Sequence, residues 1–229
     1  MGLLRWSRDH AARTAVYTVA EPGQAVYFAT VSETTELNGP TLLRIIGPPA
    51  VGKMTVGYDI AQLTGMKVFH NHLAIEPVLR FFEFGSEPFA RLVGGFRRRV
   101  FEEVAASDLA GLIFTFVRAF DVPADEIELE SYAAPFHSRG GRVFYLELSA
   151  SQEVRLERNE GELRLAEKPS KRDLEWSRRN LLELDAKYQL NSNGEYEGRA
   201  DYLRIDSTEL SSAAVAKLTI EHFGLGQRS

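Results

Sequence analysis

The chain contains no cysteine, which excludes disulfides, thiolate nucleophiles and cysteine-ligated metals. No apolar run approaches the roughly 20 residues that cross a bilayer. The N-terminus lacks the hydrophobic core of a secretory signal, and Trp6 stands where a myristoylation signal wants Ser or Thr. Positive charge is not in excess either: 27 Lys and Arg face 32 Asp and Glu, a formal net charge of −5. That balance argues against a general nucleic-acid binder. Internal repeats and low-complexity linkers are also missing. These absences lead to the expectation of a cytoplasmic protein with no membrane partner, and they leave the oligomeric state open.

What is present fits one α/β domain with some elaboration, or two small domains: 229 residues, 44% hydrophobic and 26% charged. Five short runs rich in Ile, Val, Leu and Phe read as buried strands, at 41–46, 66–70, 111–117, 142–148 and 201–205. Segments with apolar residues three and four apart separate them, at 53–63, 74–84, 88–106, 125–138, 152–159, 171–187 and 211–223. Strands alternating with helices predict a three-layer α/β/α fold around a five-stranded, mainly parallel sheet. Such sheets take ligands outside the carboxyl ends of their strands. Residues 1–40 depart from the alternation. There "TAVYTVA" and "AVYFATVS" flank "EPGQ", the pattern of an antiparallel hairpin. Such a hairpin extends or covers the sheet edge, or serves dimerisation or substrate coverage. Residues 41–229 form the main domain.

The most specific motif is "GPPAVGKMT". Gly47, Gly52 and Lys53 satisfy G-x-x-x-x-G-K-S/T, but Met54 occupies the hydroxyl position. A strand precedes the motif and a helix follows it, the context a phosphate-binding loop requires. Gly47 and Gly52 permit a tight turn, and Pro48 and Pro49 stiffen it. The amides of Ala50, Val51, Gly52, Lys53 and Met54 then converge on phosphate oxygens at a helix N-terminus. Lys53 reaches the outer phosphates as a mobile cation. A thioether is a poor ligand for magnesium, so Thr55, one position later, is the expected metal-binding hydroxyl.

This loop closely resembles the G-x-P-x-x-G-K-G-T loop of adenylate kinase and other nucleoside monophosphate kinases, where the threonine is displaced in the same way. From residue 41 to about 223 the order of elements is similar to that of P-loop small-molecule kinases such as shikimate kinase and gluconate kinase. The resemblance implies a phosphotransferase using ATP and Mg2+. It implies a mobile lid at about 151–173 whose arginines clamp the transferring phosphoryl group. Arg155, Arg158, Arg164, Lys168 and Arg172 are the candidates, with Arg158 and Arg164 best placed and Arg158 also toward the nucleotide. It further implies an acceptor region at about 72–108.

Two departures accompany the resemblance. Shikimate kinases end the second strand in F-x-D-x-D; here "FHNHL" puts Asn71 and Leu73 in place of both acids. His72 therefore becomes the candidate base, with Asn71 positioning substrate and Arg80 available to an anionic acceptor. Many P-loop proteins also end the third strand in a magnesium-holding Asp. Here Val117 and Arg118 stand there, leaving Asp121 as a loop candidate for the metal and Arg118 as a further cation near substrate. His70 and His72 share a strand face, but no third metal ligand has suitable spacing. Arg97, Arg98 and Arg99 point to different sides of one helix and read as solvated. Asp206 serves equally as a contact to the base or as a helix cap. The leading expectation is an ATP-dependent kinase acting on a small-molecule acceptor; the alternative is a nucleotide-binding regulatory or switch protein without kinase activity.

Overall fold

A computed structural model describes residues 39–226; the expected N-terminal hairpin lies outside the described residues. The strands are β1 (Thr41–Ile46), β2 (Lys67–His70), β3 (Gly111–Thr115), β4 (Val143–Ser149) and β5 (Tyr202–Asp206). They form one sheet in the order β2-β3-β1-β4-β5, and every pairing is parallel. The central strand shows why its sequence is apolar throughout. Leu42 and Ile46 face one helical layer, Leu43 and Ile45 the other, and all four are fully buried. Each such side chain contributes about 1.5–3 kcal/mol.

The layer over Leu42 and Ile46 is made by α2 (His72–Leu79), α3 (Glu87–Ala105) and α4 (Pro123–His137), through residues such as Ala74, Val93, Phe101 and Phe136. The opposite layer comprises α1 (Lys53–Thr64) and α8 (Ser212–Phe223), which bring Val56, Ile60, Val215 and Phe223 to the sheet. Arg44 is the one charged residue of β1 and is buried. Its guanidinium donates to Leu129 O and Glu130 Oε1 and lies 3.5 Å over the Tyr145 ring. Three contacts on the α4 side thus compensate a charge buried in the middle of the sheet.

Several boundaries differ from the periodicity. The helix expected over 74–84 starts at His72 and stops at Leu79. Beyond it the chain turns, with Phe81 N–H and Phe82 N–H both donating to Val78 O, and Gly85 takes φ +81°. The third strand ends at Thr115 rather than 117. The long helix expected from 171 begins at Leu174, because the Asp173 carboxylate caps it by accepting from Trp176 N–H at 2.9 Å. Before that cap, α5 (Gln152–Arg158), α6 (Glu162–Glu167) and a 3-10 turn at Pro169–Lys171 break the segment into short pieces leading to α7 (Leu174–Lys187). No helix among the described residues is long and apolar enough to cross a membrane.

Candidate active site

At the end of β1 the chain wraps through Gly47 at φ +134°, Ala50 at +59° and Gly52 at +106° before entering α1. Only glycine suits the first of these, since a Cβ on Gly47 would lie 2.3 Å from Leu148 O. The first helical bond of α1 is Val56 N–H to Gly52 O. No side chain caps this N-terminus, and no acidic residue occupies its first turn. Its leading amides and the positive end of the helix are thus available to an anion.

Lys53 is buried in the same loop, and its Nζ donates to Gly47 O and Pro48 O at 2.6 Å each. Burial, and then the nearby charges of Lys168, Arg164 and Arg155, hold its ammonium well below the usual lysine range. Met54 is buried, whereas Thr55 is exposed on the cavity wall.

The cavity bordered by this loop has a volume of about 1240 Å³. That exceeds the roughly 300–1,000 Å³ of ordinary small-molecule sites, so two ligands fit side by side. Among the sequence candidates, Pro49 to Thr55, Asn71, His72, Arg158 and Arg164 line it. Arg80 is exposed and off the wall. Arg118 is committed elsewhere: it pairs with Glu126 at 2.9 Å, donates to the Tyr196 hydroxyl and stacks 4.0 Å over Phe120. Asp121 is exposed, and its carboxylate accepts from Gln189 N–H at 3.0 Å. Both residues follow β3 after its last pairing and do not line the cavity.

The segment from Gly161 to Asp173 carries half of the lysines and arginines on the wall: Arg164, Lys168 and Lys171. Arg164 and Lys168 make no side-chain hydrogen bond or ion pair among the described residues, and Arg164 Nε is buried without a partner. Burial pushes Arg164 down to about 10. Burial, then Arg164 and Lys171, push Lys168 down to about 7. Lys171 falls to about 8 through burial and then Arg164; its Nζ reaches Asn180 Oδ1 at 3.2 Å and lies 4.2 Å over Trp176. Cations crowded until they lose affinity for their protons form a site that a polyanion relieves.

Two arginines of α5, just before this segment, are tied down. Arg155 is clamped to Asp185 through two bonds of 3.0 and 2.5 Å. Arg158 reaches across to Val51 O, Ser207 O and Thr208 O, locking the loop to the end of β5. There Asp206 accepts from Thr208 N–H and its hydroxyl, a local turn, while Ser211 caps α8.

At the end of β2, His72 Nδ1 lies 2.7 Å from Glu76 Oε1. Glu76 also accepts from the Ser170 N–H and hydroxyl. The carboxylate acts as acceptor throughout, so Nδ1 carries the ring proton and Nε2 is left to accept. Burial, then Lys168, Lys171 and Arg164, push His72 down to about 2, so the ring is neutral. His70 bonds Glu167 at 3.1 Å instead, also lowered by burial. The two histidines thus have separate carboxylate partners, and no cluster of three or more metal-ligating side chains occurs among the described residues.

Sequence reasoning passed over one residue here. Arg97 is buried on the wall, donating to Glu128 Oε1 at 2.8 Å and to Asn71 Oδ1; Glu128 also accepts from the Tyr132 hydroxyl at 2.6 Å.

The sequence matches no protein-family model and no curated protein. Solved structures do match, and they define the class of fold as that of the P-loop small-molecule kinases. A sugar kinase from Janibacter sp. superimposes with a TM-score of 0.52 at 13% identity, covering 81% of this chain and 95% of its own. A shikimate kinase from Acinetobacter baumannii, in complex with shikimate, gives 0.50 at 18%, covering 84% and 98%. A gluconokinase from Sinorhizobium meliloti gives 0.50 at 12%, covering 82% and 93%.

Proposed function

We propose that the protein is an ATP-dependent phosphotransferase acting on a small-molecule acceptor. The observation that carries this reading is the convergence of Lys53, Arg164 and Lys168 on a helix N-terminus with free amides, beside room for a second ligand. The loop amides and Lys53 hold the triphosphate of ATP, with Lys53 exchanging the Gly47 and Pro48 carbonyls for phosphate oxygens. Residues 151–173 act as the lid, and Arg164 and Lys168 neutralise the equatorial oxygens of the transferring group. His72 accepts the acceptor's hydroxyl proton at Nε2 while Glu76 fixes the ring. Because Glu76 also holds Ser170, lid position and base orientation depend on one carboxylate. Burial is the first cause of the depressed His72 basicity and the neighbouring cations the second; the negative charge of bound ATP offsets the cationic part.

For magnesium, the protein donor would be the exposed Thr55 hydroxyl at the start of α1. When bound, the ion would supply neutralisation of phosphate charge.

A switch protein without transfer chemistry is the second reading. The acid-free ends of β2 and β3 favour it, where His70 and Thr115 stand. Incubation with ATP, magnesium and acceptor pools separates the two. Acceptor-dependent ADP release and a phosphorylated product are expected; tight nucleotide binding with no acceptor-stimulated turnover would instead support the switch.

The cation cluster also sets a pH dependence. Lys168, near 7 in the empty site, is largely neutral at pH 8 and becomes protonated when a triphosphate lies beside it. Binding therefore takes up protons, up to about one per site, and affinity falls as pH rises from about 7 towards the ordinary lysine value of 10.5. Calorimetry at pH 8 in buffers of different ionisation enthalpy should show uptake; net release would contradict the assignment.

A further inference from the structure

The two ends of the cavity differ in charge. Where α1 and residues 161–173 form the wall, the cations are unpaired. Where α2, α3 and the end of β3 form it, the surface is apolar: Ile75, Leu79, Phe89, Val93 and Phe116, with Phe84 at the mouth. Ile75, Phe89, Val93 and Phe116 are buried, Phe84 is 74% exposed, and the Phe84 and Phe89 rings lie 5.0 Å apart. The polar groups on this side are Asn71, His72, Arg97, Thr115, Asp125 and Glu128. Its only arginine among the described residues is already engaged: Arg97 bonds Glu128 and Asn71, although its Nε is unpartnered. Asp125 accepts from Ala119 N–H at 2.8 Å. Two carboxylates against one guanidinium leave this end without a free cation among the described residues. An anionic acceptor would enter it unpaired and desolvated.

We propose that the acceptor is an uncharged alcohol with an apolar body, aromatic or branched aliphatic, rather than a nucleotide, a sugar phosphate or a hydroxy acid. This rests on the phosphotransferase reading. The body packs between α2 and α3, and the hydroxyl points to His72. The alcohol oxygen forms the new bond to the γ-phosphorus. The bond from that phosphorus to the bridging oxygen breaks, and its electron pair leaves with ADP. The hydroxyl proton passes to His72 Nε2 and then to solvent. An apolar wall also excludes water, the competing acceptor, from the transferring group.

The test uses the full chain loaded with ATP and magnesium and three probe alcohols: naphthylmethanol, phenylbutanol and cyclohexylmethanol. Naphthoate and naphthyl phosphate serve as anionic counterparts of the first. Equilibrium binding is followed by fluorescence or calorimetry, and phosphate esters by mass spectrometry. At least one alcohol should bind saturably, with naphthoate and naphthyl phosphate at least about tenfold weaker than naphthylmethanol. Phe84→Asp, at an exposed site where folding is not at risk, should weaken alcohol binding by about tenfold or more and leave nucleotide affinity unchanged. The proposal is overturned if none of the alcohols saturates, if the anionic probes bind as tightly, or if Phe84→Asp has no effect. Saturable, Phe84-dependent alcohol binding with no ester formed supports the ligand class and removes the phosphotransferase reading instead, so the two failures are distinct.

Discussion

Lys53→Ala should weaken nucleotide binding by about one to two orders of magnitude while leaving the protein folded. A charge-assisted hydrogen bond contributes about 1.5–3 kcal/mol, and Lys53 is positioned to make at least one to the phosphates. The loss of each such bond is therefore about 10- to 100-fold in affinity, at about 1.4 kcal/mol per decade. The fold should tolerate the change for a reason visible in the empty site. Lys53 is buried among Lys168, Arg164 and Arg155, and desolvation and repulsion already oppose its charge. Removing it relieves that repulsion, at the expense of two loop carbonyls that lose their donor. Titration with a fluorescent ATP analogue, alongside a thermal melt, gives both answers. Retained affinity in a folded variant would remove the loop as the nucleotide site, under the kinase and switch readings alike.

The loop and its flanks were legible because their chemistry is local. Glycine at positive φ, a lysine at the helix start and an apolar strand need no distant partner to be recognised, and β1 and α1 lie within a residue of their expected bounds. At the helix start Met54 is buried and Thr55 exposed, and both line the cavity.

Arg118 and Asp121 were not legible in this way. Their partners, Glu126, Tyr196 and the Gln189 amide, come from later segments that strand-end position alone does not foretell. Arg97 is the instructive case. Phe89, Val93, Arg97 and Phe101 stand four residues apart, so the arginine falls on the buried stripe of α3, while Arg98 and Arg99 are exposed. Reading the three arginines as one charged cluster hid a phase that separates them. The helix expected over 171–187 starts three residues late for a local reason: the Asp173 carboxylate caps it, so α7 begins at Leu174.

Arg164→Ala should separate transfer chemistry from mere binding. The side chain lines the cavity, its Nε is buried without a partner, and burial has pushed it down only to about 10, so it is charged at neutral pH. A half-buried guanidinium without a carboxylate partner burdens the empty protein, so its loss should leave the melting midpoint unchanged or raise it. If it meets charge that develops on the transferring group, kcat should fall by on the order of 10²–10³, the effect of removing one transition-state donor. Affinity for a non-hydrolysable nucleotide should fall far less, because the loop amides and Lys53 carry ground-state binding. Measuring kcat, KM and analogue affinity for the same preparation distinguishes three outcomes. A fall confined to kcat supports the lid role. An equal fall in analogue affinity makes Arg164 a ground-state phosphate ligand. No change in either would leave only Lys168 facing the transferring group, and Lys168→Ala would then have to produce the loss for the phosphotransferase reading to stand.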